Sequence, residues 1–203
     1  MKNLILILLI LTSLLTFSQQ NTNAISYNQL KPINLNFNFS YPAKEWSKDK
    51  ALFRCKEFLF KKVLGVSSVV QKFSVTPLAS AKSDELTTLI YKSDNLNKSG
   101  LILGFYGNYW NDNGVTFQGY GFKNLNKEKA IQFLDKIQKT MDDNKKFLQS
   151  NNDNNNIFFE FEDMQVLIYR DGNFIIRVFW NGFDSTWENT AFRRSKKRFE
   201  RKI

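Results

Sequence analysis

The chain has 203 residues and 23.8 kDa, with 29 Lys and Arg against 19 Asp and Glu, a formal charge of +10 and an aromatic share of 15%. A single Cys and no His exclude Ser-His-Asp and Cys-His catalysis, His-bearing metal sites, four-cysteine zinc cages and internal disulfides. With only 9 Gly and 3 Pro, collagen-like and low-complexity disordered chains are excluded too, which leaves a globular chain of one domain.

Residues 1–18 read as a secretory signal peptide: Lys2 supplies a positive start, Leu4 to Leu15 is an uncharged apolar run, and Thr16-Phe17-Ser18 offers a small-x-small cleavage site. That run falls short of the ~20 residues a spanning helix needs. The only cysteine is Cys55, so a lipid anchor has no acceptor near the cleavage point, and the protein is expected to be periplasmic or secreted. The 23 Asn, 20 Phe and 22 Lys against 7 Arg fit an AT-rich bacterial genome. Residues 19–31 are polar and without period, which predicts a flexible lead before a domain over 32–203.

Ile33, Leu35, Phe37, Phe39 and Tyr41 alternate with polar residues, the period of a strand with one buried face, and Pro42 ends it. Ser47 is placed to cap a helix over 48–64, in which Ala51, Leu52, Cys55, Leu59 and Val63 recur at helical spacing and Gly65 marks the stop. Cys55 then reads as a small apolar core residue. Strands follow near 67–76, 86–92, 100–110 and 115–122, separated by turn-forming stretches at Pro77 to Asp84, Ser93 to Ser99 and Asn111 to Gly114. Connections this short join antiparallel neighbours into a meander. Asn126 caps a helix over 127–148 with Ala130, Leu134, Ile137, Met141 and Leu148 on one side, and residues 150–156 read as a loop. Phe158 to Arg170 and Phe174 to Trp180 form strands joined at Asp171-Gly172, with Tyr169 facing Phe174 and Leu167 facing Ile176. A last helix over 188–202 closes the chain.

This order predicts an α+β fold, a two-layer sandwich in which an antiparallel sheet of meander plus hairpin carries about three helices on one face. A strand pair, an aromatic-Asn-Gly segment and a helix occur at 100–148 and again at 164–202, an internal echo.

Few constellations carry chemistry. Ser47-Lys48-Asp49-Lys50, Ser93-Asp94-Asn95 and Lys98-Ser99-Gly100 resemble, in order, the boxes of the penicillin-binding and β-lactamase class. The third box follows the second after two residues, where that chemistry needs a distant strand, so the match is set aside. Glu160 and Glu162 share one face of the predicted strand at ~6.5–7 Å, a spacing glycoside hydrolysis can use. They make a small carboxylate-dependent hydrolase the alternative function, although Phe159 and Phe161 opposite them also suit a strand with one wet side. No catalytic residue, metal site or cofactor is expected.

Two aromatic clusters, Phe105 to Asp112 and Phe179 to Trp187, sit at strand ends. Rings there can stack on sugars or peptides while neighbouring amides bond to them, which makes Tyr106, Tyr109, Trp110, Trp180, Asn181 and Trp187 candidate ligand contacts. The last helix has Phe192, Phe199 and Ile203 along a narrow stripe with Ser195 between, and Arg193, Arg194, Lys196, Lys197, Arg198, Arg201 and Lys202 around it. Most of the net charge therefore belongs to one helix, a candidate for an anionic surface. The expected function is non-catalytic binding in a bacterial envelope, to a glycan, an anionic lipid head group or an envelope protein. An inhibitor or immunity-type role against another exported protein is a further alternative. Nucleic acid is not an expected partner, because the leader takes the chain away from it.

Overall fold

The computed structural model describes residues 40–42, 47–65, 68–110, 116–150 and 154–203, with backbone alone for Tyr109, Trp110 and a few other strand-end residues. The predicted signal peptide, the lead, and all but the end of the first predicted strand lie outside the described residues. That end, β1 (Ser40–Pro42), pairs with β5 (Thr116–Asn126).

Helix α1 (Lys48–Phe58) starts as its sequence dictates. The Ser47 hydroxyl accepts from the Lys50 amide at 3.3 Å, and the Ser47 amide donates to the Tyr120 hydroxyl at 2.9 Å. The helix widens into a π-helical turn over Leu59–Val63, and Gly65 at φ +86° ends it. Two antiparallel meanders of four strands follow. The first is β2 (Ser74–Ser80), β3 (Leu86–Ser93), β4 (Lys98–Trp110) and β5, leading into α2 (Lys127–Asp143) and α3 (Lys145–Ser150). The second is β6 (Ile157–Phe161), β7 (Met164–Asp171), β8 (Asn173–Trp180) and β9 (Phe183–Glu188), leading into α4 (Asn189–Lys202). In both, a helix begins on the residue after the fourth strand, so the echo read at 100–148 and 164–202 is a repetition of element order.

The α+β class and the antiparallel sheet are as the sequence predicts. The layering differs in one respect. Helices α2, α3 and α4 cover one face, where Leu101, Leu103, Phe105, Phe133, Ile137, Val166, Ile176 and Phe192 share a core. Helix α1 covers the other face of the first meander, against Leu89, Tyr91, Ile102, Tyr120 and Phe122. Both sides of β3 and β4 are buried, so these strands lack the alternation of a sheet with one wet face.

Three local expectations are corrected. Pro77, read as the start of a turn, lies inside β2, which among the described residues pairs with β3 alone, as an edge strand, and shifts register between Pro77 and Ala79. An edge with a bulge is where a residue lacking an amide donor fits. The single strand read over 158–170 is a hairpin, because Glu162 at φ +53° turns the chain between β6 and β7. The inward residues betray it: Ile157, Phe159 and Phe161 occupy odd positions, and Met164, Val166 and Ile168 even ones. The next hairpin is slipped by one residue from the predicted register. Arg170 faces Phe174 and Ile168 faces Ile176, with Gly172 alone at the apex at φ +64°. That register sets Val166, Ile168, Ile176 and Val178 together on the core face, and burial of one face decides register.

The two meanders meet along β4. Its first part pairs with β3 as far as Phe105, and beyond it Tyr109 pairs with Phe183 of β9. The Phe183 ring lies directly on Gly121, where an added Cβ would stand 2.5 Å from Phe183 Cε2. The ring is hemmed in by Phe105 at 5.8 Å and Trp180 at 6.4 Å, so it has nowhere to go. Gly121→Ala should therefore cost about 1–3 kcal/mol by overpacking, read from urea unfolding. In the Gly121→Ala, Phe183→Leu double variant the loss should fall short of the sum of the two single losses.

Candidate functional site

The structure distributes the predicted aromatic contacts rather than gathering them. Trp187 is fully buried, edge-on to Phe192 at 5.1 Å and 84°. Trp180 is 3% exposed, stacks on Phe105 at 5.1 Å, and donates its indole N–H to Asp163 Oδ2 at 2.9 Å. Asn181 and Gly182, at φ +49° and +80°, make the two-residue turn between the paired Trp180 and Phe183. That is the usual work of an Asn-Gly pair in a hairpin. Tyr106 is half-buried on the α1 face, 5.0 Å from Tyr120, away from both tryptophans. Tyr109 and Trp110 pair through their backbones with Phe117 and Thr116.

The carboxylates near the β6–β7 turn form a tied network. Lys123 of β5 is among the few buried polar residues, and its ammonium meets Asp163 at 2.6 Å and Glu162 at 3.3 Å. Lys129 of α2 also pairs with Glu162. Burial alone would raise both carboxyl pKa values. The hydrogen bonds from Lys123 and Trp180 to Asp163, and from Lys129 and Lys123 to Glu162, more than offset it and hold both groups below the ordinary carboxylate range. Glu160 stays on β6, where it accepts from the Gln165 side-chain Nε2 at 3.3 Å. Glu160, Glu162 and Asp163 border an open cleft of about 300 Å³ with Trp180 and Asn181. Among the described residues no group of three or more Asp, Glu, His or Cys is arranged to hold a metal ion. Lys123 and Asp163 escaped the sequence reading. Their signal was the change of apolar phase at 162–163, which marks a turn that faces β5.

Helix α4 shows two kinds of basic residue. Lys196 bridges to Asp135 of α2 at 2.6 Å and to Glu200. Arg198 donates to the Leu78 carbonyl, and Arg193 to Asn189 at 3.1 Å. Inward, the buried Ser195 hydroxyl sits 2.7 Å from that of Thr88, and Phe192 and Phe199 are fully covered. Arg194, Lys197, Arg201 and Lys202 are exposed and have no ion pair or hydrogen bond among the described residues. Arg194, Lys197 and Arg201 follow at i, i+3 and i+7, the side of the helix opposite Phe192 and Phe199.

The remaining candidates have structural roles. Cys55 is fully buried, and burial pushes its thiol up to about 12, out of reach of nucleophilic use at neutral pH. In the three boxes, Ser47 caps α1, Ser93 donates to the Lys72 carbonyl at 2.9 Å, and Lys98 donates to the Val63 carbonyl at 3.2 Å. No protein-family model matches the chain, and neither curated proteins nor solved structures yield a match.

The network around Lys123 makes stability depend on pH in a defined direction. Carboxyl groups depressed in the folded state contribute stability in full above their unfolded pKa of about 4, and lose it as pH falls through the lower folded value. The free energy of unfolding should decline from about pH 5 downward. Lys123→Met should partly flatten that decline, because its removal lets Asp163 return toward an ordinary value while Lys129 still holds Glu162. Urea titrations at a series of pH values compare the two slopes.

Proposed function

We propose that the protein is an exported, non-catalytic binding protein of a bacterial envelope, which docks through the outer face of α4 on the phosphate head groups of an anionic lipid surface. The observation that carries this reading is the unpaired basic row Arg194, Lys197 and Arg201, with Lys202 beside it, on a helix whose other side is locked into the core. A helix fixed in this way presents its cations without a cost for ordering the backbone at the moment of contact. Each Lys or Arg near an anionic membrane surface contributes about 1 kcal/mol. No helix among the described residues is long and apolar enough to cross a membrane, so the attachment proposed is peripheral and sensitive to salt. The export itself rests on the pattern of residues 1–18. The hydrolase reading is the weaker one, since a general acid needs a raised pKa and Glu162 is held ionised by two lysines.

Cosedimentation with vesicles tests the reading. The protein should bind vesicles containing phosphatidylglycerol but not pure phosphatidylcholine, and should be released by raised salt. Arg194→Glu, Lys197→Glu and Arg201→Glu together should weaken binding at least 100-fold, with the thermal midpoint unchanged. Lys50→Glu, on α1 at the opposite face, should leave binding as it was. Equal binding by the triple variant would defeat the proposal, as would no binding to the anionic vesicles.

A further inference from the structure

On the sheet face away from α4, a cavity of about 360 Å³ opens between α1 and strands β3, β4 and β5. That size falls within the range of small-molecule sites. Its interior is apolar: Ala51 and Leu52 from α1, and Leu89, Tyr120 and Phe122 from the sheet. Tyr120 is held in place by its bond to the Ser47 amide. On the sheet side the cavity is lined at Gly104 of β4, which carries no side chain. A Cβ there would meet Phe122, the Thr87 carbonyl and Leu89 at 3.4–3.5 Å, which is ordinary contact, so the bare position reflects room rather than a clash.

The mouth of the cavity is polar, and one of its groups is unspent. Asp84 of the β2–β3 loop lines the cavity beside Ser80 and Thr87, while Glu85 of the same loop and Glu188, the last residue of β9, lie outside the lining and are engaged elsewhere. Glu188 accepts from the Lys82 amide at 3.0 Å and Glu85 from the Thr186 amide at 3.0 Å. Thr87 donates to Ser80 at 2.9 Å. The Asp84 carboxylate, part-buried at the cavity, has no ion pair or hydrogen bond among the described residues, in a chain with 29 Lys and Arg. Its backbone is fixed at φ +60°, with its amide donating to the Ala81 carbonyl at 3.0 Å. A part-buried carboxylate beside an apolar hollow is a recognition element for a group that is apolar at one end and cationic at the other.

We infer that this cavity binds a small amphipathic amine, with its apolar ring or chain against Leu89 and Phe122 above Gly104 and its ammonium on Asp84. This site is independent of the lipid surface assigned to α4, and neither experiment decides the other.

Calorimetric titration with tryptamine and with indole-3-propionate, which pairs a similar ring with the opposite charge, tests the site. Tryptamine should bind saturably with one-to-one stoichiometry and at least ten-fold more tightly than the acid. Asp84→Asn keeps a residue tolerant of positive φ. It should weaken tryptamine at least ten-fold and erase the preference between probes. Gly104→Leu, which fills the cavity, should abolish binding while the near-ultraviolet circular dichroism stays native. If that variant unfolds, Gly104→Ala takes its place and should weaken tryptamine measurably. The proposal is overturned by the absence of saturable tryptamine binding into the millimolar range, by equal affinity for the two probes, or by tryptamine binding that survives Asp84→Asn or the folded Gly104 variant unchanged.

Discussion

The seat of Phe183 on the bare backbone of Gly121 is the constraint on which the rest of the molecule depends. Each meander is a four-stranded unit, and among the described residues the two share one backbone pair, Tyr109 with Phe183, at the far end of β4. One pair of residues cannot fix the angle between two sheets. The rings can: Phe105 from the first meander and Trp180 and Phe183 from the second form a stack that closes only if β5 offers no side chain at position 121. With the sheets so joined, α2 and α4 lie on one continuous surface, and Lys196 reaches Asp135 across them. A further tie runs from Lys123 of the first meander to Asp163 of the second.

The seam also explains which parts of the molecule were legible. Helix starts were, because their signals are local: Ser47 and Asn126 cap where the spacing placed them, and the buried residues of α2 and α4 are those at helical period, although the one helix read over 127–148 breaks at Asn144 into α2 and α3. Strand identity was largely legible too. What misled were features set by neighbours far along the chain. Pro77 breaks a strand unless that strand is an edge, and no local pattern says that β2 has one partner. The register at Asp171-Gly172 followed from which face the sheet buries, a fact external to the hairpin. The odd-to-even change of apolar positions at 162–163 was local and readable, and it would have separated Glu160 from Glu162.

The aromatic clusters show how a recognition pattern can arise from packing. Large flat side chains beside Asn-Gly at strand ends suit a ligand groove, but they equally suit a junction between two sheets. There the turn must be tight and the gap behind it must be filled. Trp180, Asn181, Gly182 and Phe183 do both: the amide and the glycine turn, and the two rings fill. The bare residue that matters for the cavity carried no such signal. Gly104 lies in an apolar strand, and only the positions of Leu89 and Phe122 give its missing side chain a meaning.

Charge in this protein is sorted by the same junction. The acidic groups are few, and those near the seam are committed to amides or lysines: Glu85 to Thr186, Glu188 to Lys82, and Asp163 to Lys123 and Trp180. Acids used to hold loops are not free to neutralise the surface, so the basic surplus stays where no acid is posted, on the outer row of α4. The same anchoring defines the opposite face. The loop from Ala81 to Glu85 is pinned at Lys82 by Glu188 at the end of β9, at Glu85 by Thr186 of the same strand, and at the Glu85 carbonyl by the Tyr106 amide at 2.9 Å. Asp84 sits between those anchors. Its backbone is fixed there at φ +60°, and among the described residues its carboxylate has no ion pair or hydrogen bond.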